Sequence, residues 1–163
     1  MKNHPLLYPL LFVCCALPLA SVAADQTAER GTVERGRYLV IVGGCNDCHT
    51  PGYLQTDGQV PEELWLTGGA VGFQGPWGTT YPSNLRLYAQ QLSETQWLGR
   101  VRQPMRPPMP WFNLREMTDG DLAAMYHYLR ALGPAGEPAP TSVGPEMAVD
   151  TPYIEFVVKN LPN

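Results

Sequence analysis

The chain carries one Cys-x-x-Cys-His motif in its 163 residues, Cys45-Asn46-Asp47-Cys48-His49. Two thiols that are separated by two residues can add to the two vinyl groups of one porphyrin. The residue that follows then presents its imidazole to the iron from the same turn of backbone. Because this spacing is the attachment sequence of c-type haem, the motif predicts one covalently attached haem c per chain. Cys45 and Cys48 are the expected anchors, and His49 is an expected axial ligand.

Two other chemistries also use a Cys-x-x-Cys pair. A structural zinc site needs four ligands, and His127 is the only further His or Cys after the motif. A redox dithiol of the thioredoxin type is expected beside a βαβ pattern, which this sequence does not show. Such a dithiol also gives no role to the adjacent His49. Haem attachment is therefore the prediction, and the dithiol remains the alternative.

The N-terminus has the pattern of a secretory signal peptide. Lys2 precedes an apolar run from Leu6 to Leu19, and the small residues Ser21-Val22-Ala23-Ala24 follow. A basic residue, an apolar run and a small-residue cleavage site are typical of such signals, so we expect residues 1–24 to be removed. The apolar run is shorter than the roughly 20 residues of a membrane-spanning helix. No transmembrane span is expected after cleavage.

Cleavage would also remove Cys14 and Cys15, which leaves the motif with the only cysteines of the mature chain. Since c-type haem is attached outside the bacterial inner membrane, export and the motif both indicate the periplasm. The formal net charge is −4 at pH 7, and loss of Lys2 makes it more negative. An acidic chain argues against nucleic acid as a partner.

Helical segments are predicted on both sides of a long irregular region. Val33–Val42 reads as a helix that ends at Gly43-Gly44, with 26–31 as a leader. Thr118 caps a second helix that ends at Gly133. We expect the two helices to pack closely at Gly36.

The region between these helices is rich in Gly and Pro. Residues 50–91 show no lasting period, so we expect them to wrap around the haem as loops. Ser93 begins a capping box, which predicts a short helix to about Arg102. After the last helix, 133–152 reads as a linker, and 153–158 as a short strand or a strap across the body.

The sixth ligand of the iron decides whether the haem carries electrons or binds small molecules. Met109 is surrounded by Pro107, Pro108 and Pro110, and a proline-stiffened loop can hold a thioether with little ordering entropy left to lose. Met105 in the same loop and His127 remain alternatives. The other candidates, Met117 and Met125, are expected to be core residues.

The order of these features resembles the class I cytochrome c family from roughly Gly31 to Leu132. A closer similarity, to haem domains in cytochrome subunits of bacterial alcohol and aldehyde dehydrogenases, is carried by Gly36-Arg37-Tyr38-Leu39, Gly75-Pro76-Trp77-Gly78-Thr79, Tyr81, Asn84-Leu85 and Pro108-Met109-Pro110. Those subunits commonly carry several haem domains, whereas this chain has one attachment motif.

The resemblance implies an all-α cytochrome c fold, with few short helices and long loops around one haem. It implies a haem domain at 31–133, with 134–163 as a linker and C-terminal extension. His49 and Met109 become the axial ligands. The resemblance also places four residues of the Gly-rich segment at the haem edge and its propionates: Trp77, Thr79, Tyr81 and Asn84.

These features predict a periplasmic electron carrier rather than an enzyme. It would pass single electrons from a dehydrogenase-type donor to a respiratory acceptor. A haem subunit within a complex, or a gas- or peroxide-reactive haem with a labile sixth ligand, is the alternative. Four arginines near the Met109 loop suggest a cationic rim for an acidic redox partner, unless some of them pair with haem propionates: Arg100, Arg102, Arg106 and Arg115.

Overall fold

The computed structural model describes residues 19–160, with side chains from Gln26 onward. Its helices are α1 Leu19–Val42, α2 Cys45–His49, α3 Leu85–Gln90, α4 Glu94–Val101, α5 Trp111–Glu116 and α6 Asp119–Leu132. Its strands are β1 Gly72–Gly75, β2 Gly78–Thr80 and β3 Tyr153–Glu155. The fold is thus mostly helical with long loops, as predicted. The signal peptide prediction falls largely on residues outside this description.

The first and last long helices cross in direct backbone contact. A Cβ atom at Gly36 of α1 would lie 2.0 Å from the carbonyl oxygen of Ala124 in α6. Leu39 and Val40 of α1 are buried in one apolar cluster, together with most of the inner face of α6. The expected packing of these two helices at Gly36 is confirmed.

Helix ends follow the sequence signals closely, with one exception. The Ser93 side chain and Gln96 form a reciprocal capping box on α4, and the Thr118 hydroxyl accepts from the amide of Asp121 at the start of α6. The prediction of 26–31 as a leader is wrong, because α1 begins at Leu19. Residues before Thr32 are rich in Ala, Glu and Arg, which are strong helix formers.

A small sheet joins two strands of the Gly-rich region, which the sequence pattern does not reveal, to β3 near the C-terminus. Its strand order is β2-β1-β3, with β1 antiparallel to β2 and parallel to β3. Strands of three or four residues are too short for a recognisable period of two. Two helices were also missed because each has only six residues: α3, which lies in the region predicted as loops, and α5, which follows Pro110.

The segment after α6 lies along the hairpin formed by β1 and β2, and we call residues 134–156 the C-terminal strap. Val143 pairs with Thr79 through backbone hydrogen bonds of 2.9 and 3.2 Å. The amide of Phe156 donates to the carbonyl of Gln74 at 2.7 Å. The strap is therefore fixed by specific pairing, and its last part is the strand that the sequence allowed.

None of the helices within residues 19–160 is long and apolar enough to cross a membrane.

The helix crossing predicts opposite effects for two glycines of α1. Gly36→Ala should lower the free energy of unfolding by about 2–3 kcal/mol, because its methyl group collides with the α6 backbone. Gly31→Ala is the matched control, since a Cβ atom there meets nothing within 4 Å. This control should raise stability by about 0.5–1 kcal/mol through helix propensity. Guanidinium unfolding followed by circular dichroism measures both, and equal effects would contradict the crossing.

Candidate haem site

The motif occupies a single short helix that begins directly after α1. Gly44 adopts a left-handed conformation with φ of 66°, which lets the chain turn from Val42 into α2. Cys45, Cys48 and His49 then lie within about 1.1 helical turns of one another. The arrangement of two thiols and one imidazole that covalent haem attachment needs is therefore local, and it is built by five consecutive residues.

His49 is oriented by a backbone carbonyl from a distant segment. Its ring is buried, with 8% of the residue exposed, and Nδ1 lies 2.7 Å from the carbonyl oxygen of Ser83. A carbonyl can only accept, so Nδ1 carries the hydrogen and Nε2 keeps its lone pair. Burial lowers the pKa of His49, and the Ser83 contact opposes part of this shift. A neutral imidazole with Nε2 available fits an axial ligand of haem iron.

The two thiols are poorly suited to redox exchange. Burial raises the pKa of Cys45 to about 11, with a smaller contribution from the Asp47 carboxylate. Burial also raises the pKa of Cys48, again with help from Asp47. A thioredoxin-type dithiol needs the opposite shift at its attacking thiol. Within residues 26–160, no cluster of three or more His, Cys, Asp or Glu side chains is arranged to hold a metal ion.

A buried hydroxyl ties the motif helix to the loop that follows it. Thr50 Oγ1 donates to Asn46 Oδ1 at 2.7 Å and accepts from the amide of Leu66 at 2.8 Å. The amide of Gly68 donates to the carbonyl of His49 at 2.8 Å. These contacts fix α2 to the loop that follows it. Beyond the polar residue types, no sequence signal indicated them.

Met109 lies in the loop between α4 and α5. Its side chain is half-buried and packs against the apolar core, as does that of Met105. The amide of Met109 bonds to the carbonyl of Arg106 at 3.3 Å, so the two residues share one turn. The hydroxyl of Thr80 donates to the carbonyl of Pro107 at 2.7 Å. The loop is therefore held in place close to Met109.

The remaining candidate ligands have other surroundings. Met125 is 3% exposed and belongs to the core, and Met117 packs against that core beside Gly43. His127 lies at the surface, where its Nε2 is 2.9 Å from a carboxylate oxygen of Glu94. His127 is therefore a surface residue that contacts Glu94.

The four residues expected at the haem edge all have contacts within the chain. The Trp77 indole donates to the Phe73 carbonyl at 3.3 Å, and the side-chain Nε2 of Gln74 donates to the hydroxyl of Thr79 at 3.2 Å. Tyr81 and Asn84 both reach the C-terminal strap. The Tyr81 hydroxyl lies 2.5 Å from the hydroxyl of Thr151. The side-chain amide of Asn84 donates to the carbonyls of Ala135 at 2.8 Å and Glu137 at 3.2 Å.

The segment from Gly78 to Asn84 connects the two sides of the candidate site. Ser83 accepts from His49, and Thr80 donates to the Met109 loop. Ser83 was missed because it acts through its carbonyl, which every residue type has. Thr80 was missed as well, although it directly follows the candidate Thr79. Nothing in the sequence pattern distinguishes the roles of these two threonines.

Three of the four arginines proposed as a cationic rim have partners within the chain. Arg102 reaches Asp119 at 2.5 Å and Arg115 reaches Glu116 at 2.7 Å. Arg106 donates to backbone carbonyls of the hairpin and the strap. Arg100 is exposed on α4. Most of these arginines therefore bond within the chain, whereas the sequence suggested that they face a partner protein.

Comparison with known proteins agrees with this chemistry. A family model for cytochrome c matches residues 33–133. The cytochrome subunit of fructose dehydrogenase from Gluconobacter japonicus is 29% identical over 131 aligned positions, which cover 70% of this chain and 24% of that protein. The cytochrome c subunit of a quinone alcohol dehydrogenase from Gluconacetobacter polyoxogenes is 27% identical over 139 positions, covering 74% and 26%.

A third relative is a subunit of nicotinate dehydrogenase from Pseudomonas putida, 25% identical over 121 positions that cover 68% of this chain and 9% of that protein. The chain therefore spans about a quarter or less of the length of these relatives. No solved structure matches it.

The buried hydroxyl of Thr50 predicts a large loss of stability when it is replaced by a methyl group of similar size. Thr50→Val should lower the free energy of unfolding by about 2–3 kcal/mol, because the Leu66 amide and the Asn46 side chain lose their partner in the interior. Thr56→Val is the matched control, since the Thr56 hydroxyl bonds to the Gly52 carbonyl in an exposed position. We expect less than about 0.5 kcal/mol for the control. Guanidinium unfolding of both variants provides the measurement, and a small Thr50 effect would contradict a role for the hydroxyl in fixing α2.

Proposed function

Because the chain belongs to the cytochrome c family and so binds haem c covalently, we propose that it is a periplasmic monohaem cytochrome. It transfers single electrons from a dehydrogenase-type donor to a respiratory acceptor. The observation that carries this proposal is the motif helix, in which both thiols adjoin a buried His49 whose Nδ1 is bonded to Ser83. That arrangement offers two covalent anchors and one neutral imidazole nitrogen.

Each site residue has a role in this proposal. Cys45 and Cys48 would form the thioether bonds to haem c, and His49 and Met109 would be the ligands of its iron. Haem c supplies the one-electron Fe(III)/Fe(II) couple when it is attached. The His/Met pair favours the ferrous state over harder ligand sets, so the reduction potential should be moderately positive. The haem edge is lined by Trp77, Thr79, Tyr81 and Asn84.

A carrier fits the chain better than a catalyst. No residue of the site needs to act as an acid, a base or a nucleophile, and a thioether at the sixth position leaves no place for substrate. The Met109 loop is also held at two adjacent residues, by Thr80 at Pro107 and by the bonds of Arg106. This fixation supports a permanent ligand rather than a labile one.

The donor and the compartment are part of the same proposal. The named relatives are cytochrome or other subunits of dehydrogenases, which supports a dehydrogenase as the donor, either as a free partner or as part of one complex. The pattern of residues 1–24 supports export to the periplasm. The acidic charge supports a protein partner over nucleic acid.

The ligand assignment predicts a spectroscopic difference between two methionines of one loop. The parent protein should show a low-spin c-type spectrum with a methionine-to-iron charge-transfer band. Met109→Ala should lose that band and bind carbon monoxide readily when reduced, because the sixth position is opened. Met105→Ala is the matched control and should keep the parent spectrum.

Oxidised and reduced absorption spectra of the three exported proteins, with and without carbon monoxide, make this comparison. A high-spin parent spectrum that Met109→Ala leaves unchanged would refute the carrier, and would favour the gas- or peroxide-reactive alternative. Loss of the band in Met105→Ala alone would move the ligand to Met105 and keep the carrier.

A further inference from the structure

We infer that Arg106 is a positioning residue for the sixth ligand, and that it works by fastening the Met109 loop to the C-terminal strap. This inference rests on the proposed role of Met109 at the iron. It gives a purpose to residues 134–156, which the cytochrome c match at 33–133 does not include.

Arg106 joins three separate parts of the chain. One of its guanidinium nitrogens donates to the carbonyl of Trp77 in the hairpin at 2.6 Å. The same nitrogen donates to the carbonyl of Val143 in the strap at 2.5 Å. Hydrogen bonds from a charged donor are shorter and stronger than neutral ones. The loop, the hairpin and the strap therefore meet at a single side chain.

The strap offers Arg106 a fixed acceptor. Val143 is paired with Thr79 in both directions through the backbone. A Cβ atom at Gly78 would lie 2.2 Å from the Val143 carbonyl oxygen, so the strap approaches this closely only because residue 78 is a glycine with φ of 93°. The carbonyl is thus already ordered, and little further entropy is lost when Arg106 binds it.

Movement of Arg106 is transmitted to Met109 over a short path. The carbonyl of Arg106 accepts the amide of Met109 at 3.3 Å, which closes one turn around the prolines. The next residue, Pro107, is tied to the hairpin by Thr80. Release of the Arg106 side chain leaves the turn held by the Thr80 hydrogen bond and by the packing of the Met105 and Met109 side chains. The loop should then open more often, which exposes the sixth position to small ligands.

The opening rate is measured by adding imidazole to the oxidised holoprotein and following its binding to the iron. Arg106→Ala should bind imidazole about tenfold faster than the parent, as expected for the loss of hydrogen bonds from a charged group at an exposed site. Arg106→Lys should lie between the two, because an ammonium group keeps the charge but not the planar set of donors. Arg100→Ala is the matched control, since it removes an exposed arginine of α4 near the same loop.

A second perturbation tests whether the strap carries the effect. Gly78→Ala should displace the Val143 carbonyl and also speed imidazole binding, whereas Gly52→Ala is its control, because Gly52 also has a positive φ, of 78°, and open space around it. Gly78→Ala should add little in the Arg106→Ala background, because both changes break one contact. Fully additive rates would overturn the role of the strap.

Three outcomes separate this inference from the proposed function. A low-spin parent that loses its band in Met109→Ala, with faster imidazole binding in Arg106→Ala but not in Arg100→Ala, supports both. The same parent with equal rates in the two arginine variants overturns the inference alone. A high-spin parent overturns both. Thermal unfolding is recorded beside the rates, since a merely structural role would lower stability while the imidazole rate stays at the parent value.

Discussion

The hydrogen bond from His49 Nδ1 to the carbonyl of Ser83 is the contact on which the site depends. It determines the tautomer and the orientation of the imidazole. The carbonyl in turn is placed by two constraints on its neighbours. Gly68 approaches so closely that a Cβ atom there would lie 2.7 Å from the Asn84 amide nitrogen and 2.8 Å from the Pro82 carbonyl oxygen. Asn84 also caps α3 through its side chain. One acceptor is therefore fixed from both sides.

The helix pair supplies the other reference point. Only two residues separate the end of α1 from the motif, so the crossing at Gly36 determines where Cys45 lies. A polar network strengthens this crossing, because Glu62 accepts from Arg37 of α1 at 2.8 Å and from the Tyr128 hydroxyl of α6 at 2.8 Å. Burial and the Glu62 carboxylate raise the pKa of Tyr128, which keeps its hydroxyl a donor. The position of α2 therefore depends on the packing of α1 against α6.

Features that depend on particular side chains at fixed spacing could be predicted from the sequence. Features that depend on backbone contacts between distant residues could not. The attachment motif, the Ser93 and Thr118 caps and the glycine of the helix crossing are each specific residue types at fixed spacing. The pairing of β1 with β3 has no such signal. It joins backbone groups about 80 residues apart in the sequence, in strands of three or four residues.

The candidate site divides in the same way. Cys45, Cys48 and His49 could be named from their spacing, whereas Ser83 acts only through a carbonyl. Asn84 illustrates a different difficulty. The family resemblance implied a place at the haem edge, and in the structure the Asn84 side chain caps α3 and binds the strap. Residue type alone does not reveal which of several acceptors a buried amide will meet.

A domain with so many loops must satisfy a large number of backbone carbonyls outside helices and sheets. Arg86 shows how this chain does so, since its buried guanidinium donates to the carbonyls of Glu63 at 2.6 Å and Gly133 at 2.7 Å, and to that of Leu132. Burial lowers the pKa of Arg86, yet arginine stays charged in proteins. Arg106 repeats the device at the Met109 loop. Planar donors that reach several carbonyls can therefore satisfy backbone groups where long loops replace regular secondary structure.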